Sequence, residues 1–206
     1  MNGNHSPSML TELDSFIRKN NLKIVDGKAK QVLKLREKAT YYVLDGEMEL
    51  RVIYENGEMN IVDLIFPGET IEAIEDNDTT CFEVFTTTET KLLEIGEKEI
   101  LNNPEIILFL NNLFRKKLSR LVMLKAIQQQ YRVEDRVLGL FNWYANQFGT
   151  KTNNGILINI RITHQQIALF VGSTRPTITR IINKMSRLNI LKRVNVNEQE
   201  RYLLLL

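Results

Sequence analysis

Cysteine occurs once in the 206 residues, at Cys81, and histidine twice, at His5 and His164. A lone thiol forms no internal disulfide, and an iron–sulfur cluster held by one chain needs about four thiolates. Two histidines are too few for a multi-histidine metal site, so no metal is expected and Cys81 should be a buried, inert thiol. Apolar runs are short. None approaches the roughly 20 residues that span a bilayer, and the N-terminus lacks the basic start and apolar stretch of a secretory signal. No membrane partner is expected, and the protein should stay in the compartment where it is made. No phosphate loop, nucleophile elbow or metal-spaced His/Cys set occurs, which argues against an enzyme.

Acidic residues are missing from one long stretch. From Ile156 to Arg193 there are seven Lys or Arg and no Asp or Glu. The net charge of +2 conceals this opposition: residues 22–95 carry 8 basic against 16 acidic groups, whereas residues 131–206 carry 11 against 4. An acidic half joined to a basic half fits a sensor or interaction domain tied to a nucleic-acid binder.

The acidic half reads as short strands. Met48, Leu50, Val52 and Tyr54 alternate with Glu47, Glu49 and Arg51, the period-two pattern of a half-buried strand. Turn signals at Asp45-Gly46, Asn56-Gly57 and Pro67-Gly68 recur at even spacing, and such strands imply a sandwich or barrel. Ahead of them, Leu10, Leu13, Phe16 and Ile17 have helical spacing and suggest a short docking helix. Behind them, Asn103-Pro104 opens a long helix, because proline suits the first turn and Glu105 suits the positive end of the helix dipole. No Gly or Pro interrupts it before about Gln130. Its apolar stripe, Leu110, Leu113, Phe114, Leu118, Leu121, Leu124 and Ile127, needs a partner: the β-rich half or a second copy of the helix. The breadth of the stripe favours a dimer helix built on Leu110, Leu113, Phe114, Leu121 and Leu124.

The basic half begins with an amphipathic helix over Val133 to Phe148, with Val137, Leu140, Phe141 and Tyr144 on one face. A polar turn, Gly149 to Gly155, and a strand over 156–162 follow. Ile162 to Met185 then reads as two short helices pinned at Gly172. Thr163 with Gln166 three residues later is a capping box, and Gly172 supplies the positive φ that reverses the chain after Phe170. Ser173 or Thr174 caps the second helix, and Pro176 falls in its first turn, where a missing N–H costs nothing. Ile178, Ile181, Ile182 and Met185 form its buried face, leaving Arg175, Thr179, Arg180 and Lys184 outward. Arginine can bond guanine O6 and N7 together, while threonine hydroxyls and a helix N-terminus suit phosphate oxygens. His164 reads as a surface or phosphate-contacting residue. A final strand pair, around Val194 and Val196 and from Tyr202 to Leu206, flanks the polar turn Asn197 to Glu200, and the whole describes a winged helix-turn-helix.

The fold expected is α+β in three parts: an effector-type β-barrel of jelly-roll form with its N-terminal helix (1–102), a long dimerisation helix (103–130) and a winged helix-turn-helix (131–206). That order resembles the Crp/Fnr family of transcription regulators over nearly the whole chain. The residues that carry the likeness are YYVLDGEMEL (Tyr41–Leu50), IFPGETI (Ile65–Ile71), NNPEI (Asn102–Ile106), EDRVLGLF (Glu134–Phe141) and ITHQQIALFVGSTRPTITRII (Ile162–Ile182). Asn-Pro-Glu at the long helix, Asn-Gly-Ile before the strand, and Gly-Ser-Thr-Arg followed by Thr-x-Thr-Arg are similar to the NtcA branch, the global nitrogen regulators of cyanobacteria and some algal plastids.

The resemblance implies a homodimer on double-stranded DNA, activating nitrogen-assimilation genes through a GTA…TAC palindrome with half-sites about 34 Å apart, and working with RNA polymerase. It implies base reading by Arg175 and Arg180 and backbone contacts from Thr163, Gln165, Thr174 and Thr177, beside which His164, Ser173 and Lys184 are further backbone candidates. Position 176 also faces a base, but where the catabolite activator has Glu and the nitrogen regulators Val this chain has Pro176, which can read only shape or a methyl group. The resemblance implies a plastid stroma, with cyanobacterial cytoplasm as the alternative. Its effector would be 2-oxoglutarate, with Lys117 at the helical effector position and Arg120 nearby. However, no Lys or Arg occurs between Val52 and Thr90, so the second cation expected from the barrel is missing. A ligand-binding or protein-interaction module, in which the β-rich half does the work and the hairpin merely packs, is the alternative function.

Overall fold

A computed structural model describes residues 22–76, 78–196 and 199–205. The expected docking helix over Leu10 to Ile17, and Asn197 and Glu198 of the last turn, lie outside the described residues. The chain divides into two units, Met1–Arg120 and Leu121–Leu206, and the division falls inside the long helix.

In the first unit eight strands, β1 (Lys23–Gly27), β2 (Val32–Leu33), β3 (Ala39–Asp45), β4 (Met48–Tyr54), β5 (Met59–Ile65), β6 (Thr70–Glu72), β7 (Thr80–Thr86) and β8 (Thr90–Gly96), precede a short helix α1 (Glu97–Leu101) and the long helix α2 (Pro104–Gln128). The strands form two four-stranded antiparallel sheets, ordered β1-β8-β3-β6 and β2-β7-β4-β5. This is a jelly roll made of two sheets, rather than one closed ring of strands. Glycines with positive φ at Gly46, Gly57 and Gly68 occupy the three turns marked in the sequence.

The two faces of the first sheet explain its unbroken apolar runs. Tyr41, Val43 and Leu92 point inward with Met48, Leu50, Ile65 and Val84 of the opposing sheet. The alternate residues Tyr42, Leu44, Leu93 and Ile95 meet Ile106, Phe109, Leu110 and Leu113 of α2 on the other side. Tyr42 and Phe109 stack edge-on with centroids 5.4 Å apart. A sheet covered on both faces reads as YYVL or LLEI rather than as strict alternation.

The long helix therefore carries two stripes. Leu110 and Leu124 are buried by the chain itself, so these two cannot form the seam with a second copy that the sequence suggested, and Leu113 is half-buried against the first sheet. The stripe that remains exposed is Ile107, Phe114, Leu118 and Val122, with Leu121 half-buried beside it. The sequence assigned one broad stripe because it cannot show at what angle the sheet cuts it. Cys81 also departs from expectation: it is exposed on β7, and a hydrogen bond with the Asp76 carboxylate, with some desolvation, holds its thiol above the usual pKa.

The second unit contains α3 (Val133–Phe148), the hairpin β9 (Gly149–Thr152) and β10 (Gly155–Ile158), helices α4 (His164–Val171) and α5 (Arg175–Arg187), and strands β11 (Leu191–Val196) and β12 (Gln199–Leu204). The stretch expected as a polar turn is instead mostly strand. β9 pairs with β10, β10 with β12, and β12 with β11, all antiparallel. Helix α3 buries Val137, Leu140, Phe141, Trp143, Tyr144 and Ala145, and the Phe141 ring meets Tyr202 edge-on at 4.9 Å.

Candidate nucleic-acid interface

The helix pair is built from local chemistry. Gln166 N donates to Thr163 Oγ1 at 3.2 Å, and Thr163 N donates to Gln166 Oε1 at 2.9 Å, so the capping box satisfies two otherwise orphaned donors at the start of α4. Gly172 ends α4 with φ 63 and ψ 59, and both its N–H and that of Ser173 return to the Ala168 carbonyl. Thr174 then caps α5, accepting from Thr177 N at 3.4 Å, and Pro176 lies in the first turn of α5. Ile178, Ile181, Ile182 and Met185 are buried. Their spacing fixes the rotation of α5 and leaves Thr174, Arg175, Pro176 and Arg180 exposed.

The structure places four of the ten DNA-facing candidates of the sequence at one cleft. An open cleft of about 700 Å³ is lined by Thr163, His164, Gln165 and Arg175. It also takes in Arg161, Arg193 and Tyr202. Arg161 and Arg193 had no assigned role in the sequence; they belonged only to the acid-free basic stretch, the one signal that could have found them. Among the described residues neither Arg175 nor Arg180 has an ion-pair partner, so their guanidinium forks face solvent with their donors unspent. Ser173 and Thr177 are half-buried, and the Thr177 hydroxyl sits 2.9 Å from that of Thr174.

Two residues differ from the surface roles expected of them. Lys184 is paired with Glu134 of α3, its Nζ 2.9 Å from Oε2, with both side chains about half exposed. His164 is half-buried and uses both ring nitrogens internally, Nδ1 at 2.8 Å from Thr179 Oγ1 and Nε2 at 3.0 Å from Tyr202 Oη. The Thr179 hydroxyl donates to the Arg175 carbonyl at 3.0 Å, so it accepts from Nδ1–H, and Nε2 accepts from the tyrosine hydroxyl. One neutral tautomer satisfies every partner. Burial pushes the imidazole pKa below its usual value, and the nearby Arg193 and Arg175 add to that. Burial pushes Tyr202 up to about 12, so it remains a donor. His164 thus ties α4 to α5 and β12 rather than standing free for a phosphate.

The candidate effector cations lie in the first unit and are occupied by the chain's own groups. Arg120 grips Asp63 and also meets Glu69, and Lys117 Nζ donates to the Thr70 carbonyl.

A family model for the Crp-like helix-turn-helix domain matches residues 118–202. Over 154 residues the chain is 26% identical to the global nitrogen regulator of Nostoc sp., covering 70% of this chain and 69% of that protein. A putative HTH-type transcriptional regulator of Porphyra purpurea is 42% identical over 53 residues, which are 26% of this chain and 22% of that one. The solved structure of a cyclic nucleotide-binding domain containing protein from Listeria monocytogenes shares the fold, with a TM-score of 0.75 at 13% identity over 93% of this chain and 97% of that one. With a Crp-like helix-turn-helix domain over residues 118–202, the chain is a DNA-binding transcription regulator, similar over most of its length to regulators of the Crp/Fnr kind.

Proposed function

We propose that two copies of the chain bind a palindrome of the GTA…TAC kind and activate nitrogen-assimilation genes, without catalytic activity of their own. The observation that carries this reading is the start of α5, where Arg175, Pro176 and Arg180 are exposed on a rigid, capped helix in a stretch free of acidic residues. In the major groove each arginine fork could take guanine O6 and N7, while Thr163, Gln165, Thr174 and Thr177 take phosphate oxygens. Likeness to the Nostoc global nitrogen regulator supports the nitrogen link; RNA polymerase as a partner, and a plastid stroma or cyanobacterial cytoplasm as the setting, belong to the same proposal.

A gel shift of the full chain on a GTA/TAC palindrome and on its scrambled counterpart tests this. Preference for the palindrome, with affinity falling steeply as salt rises, is the expected result. Equal affinity for both DNAs would leave only non-specific binding and remove the assigned base readers.

A further inference from the structure

The middle of helix α2 is held to the sheets by charge rather than by apolar packing. Past Leu113, the residues of α2 that turn back toward the strands are Lys117 and Arg120, three positions apart on one helix face. Arg120 Nη1 and Nη2 donate to the two oxygens of Asp63 on β5 at 2.7 and 2.9 Å. Nη1 also reaches the Leu64 carbonyl at 2.9 Å, and Nε lies 2.8 Å from Glu69 Oε1 in the turn before β6. Lys117 Nζ lies 3.8 Å from Asp63 and donates to the Thr70 carbonyl. Glu69 Oε2 accepts from Phe66 N at 3.0 Å.

The two carboxylates and two cations cancel in formal charge, and the cluster is nearly shut off from water, with the Asp63 side chain 2% and that of Arg120 10% exposed. Burial pushes the Glu69 carboxyl up and the Lys117 ammonium down, so each charge here depends on its partners. The contact between Arg120 and Asp63 is the parallel two-bond grip by which a guanidinium takes any carboxylate, including that of a small acid. The register of β4 and β5 slips at Val62, immediately before Asp63, and bulges of this kind re-aim a side chain.

We propose that Lys117 and Arg120 form a carboxylate-binding site whose ligand is the chain's own Asp63, seconded by Glu69. Because the site is filled in cis, α2 is clamped to β5 and to the turn before β6 without a small molecule, and a free dicarboxylate finds no open cation there. The same helix continues past Arg120 to Gln128. Any consequence for DNA binding rests on the function proposed above; the anion-binding consequence does not.

The test uses the full-length protein with succinate and 2-oxoglutarate as probes. Calorimetry of the native protein should show no binding of either acid. Its affinity for the palindrome should likewise stay unchanged, where an allosteric effector typically shifts affinity about 5- to 150-fold. In Asp63→Ala the grip is opened: its melting temperature should fall and then rise with millimolar succinate, a response absent from the native protein and from Asp63→Ala/Arg120→Met. Should Asp63→Ala fail to fold, the isosteric Asp63→Asn replaces it, and calorimetry on the native chain stands regardless. Heat of binding from the native protein, or an opened variant indifferent to succinate, overturns the proposal. A native protein that ignores DNA altogether, while Asp63→Ala still answers to succinate, would instead refute only the DNA-reading function.

Discussion

His164, in the first turn of α4, and Thr179, one turn along α5 from Arg175, are joined by a 2.8 Å hydrogen bond that holds the two helices of the helix-turn-helix in register. The imidazole is neutral there, and its folded pKa lies below the value near 6.5 that it takes in an unfolded chain. Between those two values the unfolded chain binds more protons, so stability rises with pH. The contribution is complete above about pH 6.5 and is lost as pH falls through the folded value. Denaturant unfolding of the native chain should therefore show a midpoint that declines from pH 7.5 to 5.5. In His164→Gln that part of the slope should vanish, and at pH 7.5 the loss of two hydrogen bonds should cost about 1–3 kcal/mol. A variant with an unaltered slope would show that the histidine does not titrate in this network.

Arg175 and Arg180 should separate from the residues proposed to contact phosphate in the way affinity is lost. Each arginine replaced by alanine should remove about 1–3 kcal/mol of discrimination against the scrambled site, with the circular dichroism of the helices unchanged. Thr163→Val should instead weaken both DNAs and also unpick one bond of the capping box. Gel shifts at three salt concentrations distinguish the two patterns, and equal losses on both DNAs for Arg180→Ala would deny it a base contact.

Sequence legibility follows the range of the interactions. The capping box, the turn at Gly172 and the buried face of α5 were readable because every partner lies within a few residues. β9 was not, because Gly149, Thr150, Lys151 and Thr152 are all exposed and so offer no alternation to read. Nor were the partners of His164, since Tyr202 is 38 residues away and arrives only through the pairing of β12 with β10 and β11. The clamp was concealed most deeply. In the sequence nothing links Asp63 and Glu69 to residues about 50 positions further on, whereas in the fold they sit against Lys117 and Arg120 and take the place of a carboxylate ligand.

The two stripes of α2 should respond differently to substitution. Leu118 is 65% exposed on the outer stripe with Ile107, Phe114 and Val122, and Leu110 is 2% exposed against the first sheet. Leu118→Glu should leave the melting temperature of the chain nearly unchanged while shifting its sedimentation to that of a monomer and weakening binding to the full palindrome. Leu110→Ala should keep the association state and lower stability by about 2–5 kcal/mol. A Leu118→Glu protein that still sediments as the native assembly would place the contact between copies elsewhere.

Two glycines of the second unit, both with positive φ, should tolerate alanine very unequally. Gly172 has φ 63, and a Cβ there would meet nothing within 4 Å. Its replacement therefore carries only the left-handed backbone penalty, about 1–2 kcal/mol, and Gly172→Asn should recover part of it because asparagine accepts that region more readily. Gly155 has φ +142, and a Cβ would lie 2.1 Å from the Leu204 carbonyl oxygen, a backbone atom that pairing between β10 and β12 holds in place. Gly155→Ala can be accommodated only by separating those strands, which would also pull Tyr202 from His164. Denaturation of the full chain should place Gly155→Ala well below Gly172→Ala in midpoint, with DNA binding falling in parallel. Equal midpoints would mean that the end of β12 is free to move aside and does not support the reading helices.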